Sequence, residues 1–334
     1  MLDFKSCMQN GSIIGIDRTF NLGACYVTCM VYQNPKLLRK GQGVSPVLLG
    51  PVFLHWDGSY ATYCTFLSKI RASLGFNIDC EKIIFGTDEE TALINAIKTT
   101  FPNSEHILCV RHLQENAQRN LLKQNVPEKT RNSIVQKLFS KTGLLSAEDR
   151  VFYLEREQEI LDEFASSCGS YLSEKLLPIL KSKVFEPRLK HKQIPLLWKN
   201  NNCESMNSKF KILGDWRVSK LPQLVELIRE VHDNQLLDIR GALHGRGNFE
   251  LAESFQHLSI FHSAWLAMTN EQRAKSFVKF VKYQNQCKFQ SSGDDLLTIP
   301  TTNKIAKKPG QIKRVRTAKT RTIPNKKPKL QGDC

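Results

Sequence analysis

The chain has 334 residues, and 48 Lys and Arg against 32 Asp and Glu leave a formal net charge of +16. Its 41% hydrophobic and 24% charged residues fit a globular chain with a full core and exclude wholesale disorder. No apolar run reaches the roughly 18 residues that a membrane helix needs, and the opening MLDFKSCMQN lacks the pattern of a secretory signal, so the positive excess points to a polyanionic partner, nucleic acid before membrane.

The first 110 residues alternate in period. Residues 12–20 (SIIGIDRTF) form a β-branched run and predict a strand. Residues 24–31 (ACYVTCMV) predict a second, after a tight connection at Asn21, Leu22 and Gly23. A third is predicted over 46–56, where Gly50 and Pro51 mark an edge strand or a bulge. Apolar spacing near 3.6 (Tyr60, Tyr63, Cys64, Leu67, Ile70, Leu74) predicts a helix over 60–74. A strand at 82–85, a helix at 91–101 with a Thr87–Glu90 capping box, and a strand at 106–110 complete the order β-β-β-α-β-α-β. Strands on short turns, followed by strands joined through helices, imply an α/β fold: a mixed five-stranded sheet with helices against it.

After Arg111 the strand signals stop. Residues 112–183 read as helices broken at Pro127, Gly143 and Gly169, most clearly over 147–165, where Val151, Leu154, Ile160, Leu161 and Phe164 fall near one stripe. Residues 184–199, with Pro187 and Pro195, read as a loop, and helices are predicted over 201–213, 221–243 and 249–286. Residues 301–334 carry 11 Lys or Arg and one acid, Asp333, so a disordered basic tail is predicted from about residue 300. Its run NKKPK (325–329) resembles a nuclear localisation signal, and the tail can grip phosphates or simply keep the chain soluble. Ten cysteines without a compact framework predict reduced thiols, as in a cytosolic or nuclear chain.

Three acids stand out. Asp17 lies inside an apolar strand, where a charge is costly to bury unless it is paired or holds a cation. Asp88 lies just past another strand end, where ligands of α/β sheets gather. Glu204, in NNNCESMN, lies at a predicted helix start. If the two strands are neighbours, the three could hold two divalent ions, and oxygen ligands suit magnesium or manganese. Each has a structural alternative: Asp17 as partner of Arg18 or Arg111, Asp88 at a helix N-terminus with Glu89 and Glu90, and Glu204 closing a capping box begun by Asn201.

Taken in order, IIGIDRTFNLGACYVT, LLGPVFLH, IIFGTDEETALINAIKTTFP, HILCVRHLQENAQRNL and NNNCESMN resemble the transposase of Mutator-like (MULE) DNA transposons, most closely the Phantom-type elements of animals. The resemblance runs from about residue 10 to about 215. It implies a ribonuclease H-like catalytic core with a D-D-E triad: Asp17, Asp88 and Glu204, catalytic and metal-binding, with two Mg2+ or Mn2+ ions. Its domains would be a core at 10–111 and 200–215, an all-helical insertion at 112–199 before the glutamate helix, a helical C-terminal region at 216–290, and the tail at 300–334. It also implies the reaction, in which water cuts DNA at the element's end and the freed 3′-hydroxyl attacks target DNA. The partners would be DNA and a second copy of the chain in a homo-oligomer, in the nucleus and without a membrane.

Cys109 and His112 match the family's Cys-x2-His pair, and with Asn116 and Asn207 they are expected beside the active site. Two ligands are half a zinc site and four are normally required, so structural zinc is not expected; Cys168, His191 and Cys203 are arbitrary completions. Trp198 either stacks an unpaired base or packs in the core. With Lys209, Lys211, Lys313, Arg314 and Arg316 it makes up the DNA-binding candidates.

Two departures qualify the resemblance. Glu89 stands where the family often has Gly. Only 16 residues precede Asp17, so the zinc-binding DNA-recognition domain of family transposases is expected to be lacking. The chain is then an element's fragment or a derived gene, and a DNA-binding regulator without catalysis is the alternative function. A junction resolvase is a weaker third, against which the helical insertion argues.

Overall fold

The computed structural model describes residues 2–19, 22–75 and 80–283. Alternation along β1 (Ile13–Thr19) sets the two faces of its main sheet. Ile14 and Ile16 point into a core shared with α1 (Leu2–Gln9), α2 (Tyr60–Leu74) and α3 (Thr91–Thr100). Gly15 and Asp17 therefore point to the other face. There Val27, Cys29 and Val31 of β2 (Tyr26–Gln33) pack on Cys203, Met206 and Phe210 of α9 (Asn201–Leu213) and on Leu224 and Val231 of α10 (Leu221–Ala242).

The five strands take the order β4-β2-β1-β5-β6, with β4 at Val47–His55, β5 at Ile84–Thr87 and β6 at Glu105–Leu108. The pairs β1/β2 and β2/β4 are antiparallel; β1/β5 and β5/β6 are parallel. The protein is thus α/β with a mixed five-stranded sheet and flanking helices, as its strand pattern predicts. The edge position and the bulge are both present: β4 lies at the rim, and its register with β2 shifts between Cys29 and Val31. Gly50 lies in that interval, where a Cβ would come within 3.0 Å of Phe4 and 3.1 Å of the Met30 carbonyl.

Residues after β6 build a separate helical core. In α4 (Val110–Lys123), α5 (Glu128–Phe139) and α6 (Arg150–Tyr171), Leu113, Leu121, Ile134, Leu138, Tyr153 and Phe164 are all buried together. The break expected at Gly169 falls one residue earlier: the backbone of α6 leaves helical geometry at Cys168 (φ −162°, ψ 27°), and a second helical stretch follows to Tyr171.

Several expectations need correction. The predicted loop at 184–199 is helical in its first part: Pro187 lies in α8 (Glu186–Lys190), which continues directly from a π-helical turn at Lys181–Phe185. Between α6 and α8 lie α7 (Leu177–Leu180) and two π-helical turns. The stretch from Phe249 begins as a strand, β7 (Phe249–Leu251), pairing with the equally short β3 (Leu37–Arg39). The rest comprises α11 (His262–Ala267) and α12 (Asn270–Lys282). No capping box forms at α3: Thr87 Oγ1 lies 2.8 Å from His106 Nε2 and donates to the Asp88 carbonyl.

The eight described cysteines are free thiols, and no helix among the described residues is long and apolar enough to cross a membrane. The basic tail, with Lys313, Arg314 and Arg316, lies outside the described residues.

Candidate metal centre and its carboxylates

Strand register brings the first two acids level. In the parallel β1/β5 pair, Ile13 faces Ile84, Ile14 faces Phe85 and Gly15 faces Gly86, a constant offset of 71 residues. The same 71 residues separate Asp17 from Asp88. Extended two steps past the last pair, the same offset sets Asp88, just beyond the end of β5, level with Asp17, whose carboxyl feels its charge.

The carboxyl of Asp17 responds to that neighbour. Burial raises its pKa to about 6, and the Asp88 charge adds to the rise. The Arg18 backbone N–H and Asn207 act in the opposite direction, and Asn207 Nδ2 donates to Asp17 Oδ2 at 2.8 Å. Asn207 sits one turn beyond Glu204, so α9 presents both to this end of the sheet.

The first turn of α4 meets the other two acids. Arg111 Nη1 donates to Glu204 Oε2 at 2.9 Å, and Arg111 Nε to Glu115 Oε1 at 3.2 Å. His112 Nδ1 lies 2.8 Å from Asp88 Oδ1, an ion pair that, with the Cys109 thiol, lifts the imidazole pKa to about 10. Both atoms are buried, yet neither has a well-aligned hydrogen bond. Asn116 donates to Glu89, so α4 turns His112 and Asn116 toward residues 88 and 89.

Asp17 and Asp88 are therefore close enough for their charges to interact, and each of the three acids is engaged by its own partner: Asp17 by Asn207, Asp88 by His112, Glu204 by Arg111. Of the structural alternatives drawn from sequence, the capping box at Glu204 is not formed, whereas Asp88 does stand two residues before Glu90, the N-cap of α3. Arg18 pairs with Glu90 at 3.2 Å, and no side-chain bond caps α9, whose N-cap is Asn200. Sequence reasoning missed Arg111 as the partner of Glu204, since the contact spans 93 residues.

Among the described residues, one group of three potential ligands gathers closely enough for a metal ion. Donor atoms of Asp88, Cys109 and His112 all lie within 4.8 Å of one another. Cys109 sits at the N-cap of α4, and its Sγ accepts from the Asn200 N–H at 3.3 Å. Cys168 packs in the helical core, Cys203 under α9, and His191 lies 3.4 Å from Glu105; none joins this group.

Trp198 does not face a nucleic-acid path. Its side chain is 8% exposed and packs with Ile84, Ile107, Cys109 and Ile194. A Cβ on Gly86 would come within 2.3 Å of its ring, so glycine there lets the indole lie on the sheet. The Val110 N–H donates to the Trp198 carbonyl at 3.0 Å, tying this segment to α4. We expect Gly86→Ala to cost about 2 kcal/mol through forced displacement of Trp198. Urea unfolding checks this, with Gly58→Ala as a control in which the added Cβ would meet only the ends of the Arg18 and Glu90 side chains.

Lys211 lies two turns beyond Glu204 on the same side of α9, whereas Lys209 lies near Arg39 and Asp238. No protein-family model matches the chain, and no curated protein is similar to it in sequence.

Proposed function

We propose that the chain is a metal-dependent DNA strand-cleaving and strand-transferring core of the D-D-E type, with a ribonuclease H-like fold and of the Mutator-like transposase kind. The observation that carries this reading is the shared 71-residue offset, by which Asp88 falls level with Asp17 beneath the helix bearing Glu204 and Asn207. The sheet order β4-β2-β1-β5-β6 agrees with it.

The oxygen donors of Asp17, Asp88 and Glu204 fit Mg2+ or Mn2+, and burial, with the Asp88 charge alongside, makes the Asp17 carboxylate one that a bound cation would relieve. When bound, a pair of such ions supplies Lewis-acid activation of a water or hydroxyl and stabilises a leaving phosphodiester oxygen. The chain's own groups provide orientation. Asn207 fixes Asp17, His112 sits against Asp88, and the 45% exposed Arg111 side chain can release Glu204 and take up a phosphate. Lys211 and the net charge of +16 favour DNA as the partner, and the proposal includes action as a homo-oligomer in the nucleus.

A specific observation favours the second reading, a DNA-binding regulator without catalysis: Arg111 and His112 already neutralise two of the acids. Nicking of supercoiled DNA by the full chain with Mn2+ or Mg2+ discriminates the two. The catalytic reading expects metal-dependent nicks that disappear in Glu204→Gln. Equal backgrounds in both proteins, with DNA binding retained, leave the regulator.

A further inference from the structure

We propose that Asp88, Cys109 and His112 bind a single thiophilic divalent ion of the Zn2+ class, at a site that shares Asp88 with the hard-ion cage and so blocks it. The binding stands on the geometry of these three residues alone; the blocking rests on the function proposed above.

Three features point to a ligand. Asp88 lies just past the end of β5, and Cys109 and His112, three residues apart, lie at the N-cap and in the first turn of α4, which follows the neighbouring strand β6. All three donor atoms lie within 4.8 Å of one another. Asp88 Oδ1 and His112 Nδ1 approach to 2.8 Å without an aligned hydrogen bond, although both are buried. Around a tetrahedral ion with ligand distances of about 2.0–2.3 Å, donors stand roughly 3.4–3.7 Å apart. The carboxylate and imidazole need open by less than about 1 Å, and the thiol, no more than 4.8 Å from either, needs to close by at most about 1 Å.

The chemistry of the donors decides the ion. A thiol and an imidazole select zinc or cobalt over magnesium, which prefers oxygen ligands. Ligation requires the Cys109 thiol and the His112 ring to release their protons to solvent. Three protein ligands leave the fourth position open. Arg111 is turned away to Glu204 and Glu115, so its cation does not fill the site.

The test is a titration of the full chain with Co2+ alone in reducing, metal-free buffer. One equivalent should give the absorption of a four-coordinate ion with a thiolate-to-cobalt charge-transfer band, bleached by Zn2+. The band should vanish in Cys109→Ser, and both Cys109→Ser and His112→Gln should bind Co2+ at least about tenfold more weakly with unchanged circular dichroism. An undiminished band in Cys109→Ser, or no stoichiometric uptake by the wild type, overturns the site. One equivalent of Zn2+ should also suppress Mg2+-dependent nicking by the wild type at least about tenfold; nicking indifferent to bound zinc overturns the blocking. A cobalt band without any nicking refutes the catalytic reading and leaves the metal site intact. Nicking without cobalt uptake does the reverse.

Discussion

Asp17→Asn should make the protein more stable and abolish strand cleavage. The folded-state pKa of Asp17, about 6, lies above its ordinary value of 3.8, so the fold penalises the charged carboxylate. That penalty is absent below about pH 3.8 and complete above about pH 6. Removing it in the metal-free protein at pH 7.5 should add on the order of 2 kcal/mol, and the gain should disappear toward pH 4. Asn keeps the shape and can still bond Asn207. Strand cleavage should fall at least about a thousandfold, since the charge stabilisation lost is worth several kcal/mol at 1.36 kcal/mol per tenfold. Urea unfolding in EDTA and the nicking assay read the two effects separately. A variant that loses stability and was never accompanied by cleavage would make Asp17 a structural residue.

The second large effect lies away from the acids. Lys36 is buried, and its Nζ donates to the carbonyls of Phe280 at 3.0 Å and Val281 at 2.8 Å, at the last turn of α12. Ser6 Oγ donates to the same Val281 carbonyl at 2.7 Å. Nearby, Asp3 accepts from Tyr32 Oη and Asn34 Nδ2, both at 2.8 Å. Burial pushes the Asp3 carboxyl pKa up and the Lys36 amine pKa down, while the two charges partly compensate one another. Lys36→Met removes the donor to α12 and leaves the Asp3 charge without its cation. We expect a loss of about 3 kcal/mol, in the range for breaking a buried charge arrangement from one side. Urea unfolding measures the loss, and amide exchange should show α12 opening first. Lys36→Met together with Asp3→Asn should recover part of it.

Much of the sheet was readable because its strands carry local signals. Alternation in IIGID assigns Asp17 to one face, and Gly50 with Pro51 marks the edge strand with its bulge. The 71-residue spacing of the aspartates was visible too, but its meaning as a strand register needs the pairing itself. What stayed hidden depends on partners distant in sequence. Strands β3 and β7 are three residues each and exist through their mutual pairing. Helix α1 has little periodicity of its own and is held by the Asp3 and Ser6 contacts. The salt bridge of Arg111 to Glu204 and the packing of Trp198 on Gly86 likewise join remote segments. The expected capping box at Thr87 failed because Thr87 ends β5 and α3 starts later, with Glu90 as its N-cap.

Anomalous scattering from crystals of the full chain soaked in Mn2+ tests the paired-ion account most directly. Two manganese peaks about 3.5–4 Å apart, bounded by Asp17, Asp88 and a Glu204 side chain released from Arg111, are the predicted result. Saturating Mn2+ that leaves no density beside Asp17, with Glu204 still held by Arg111, would contradict it.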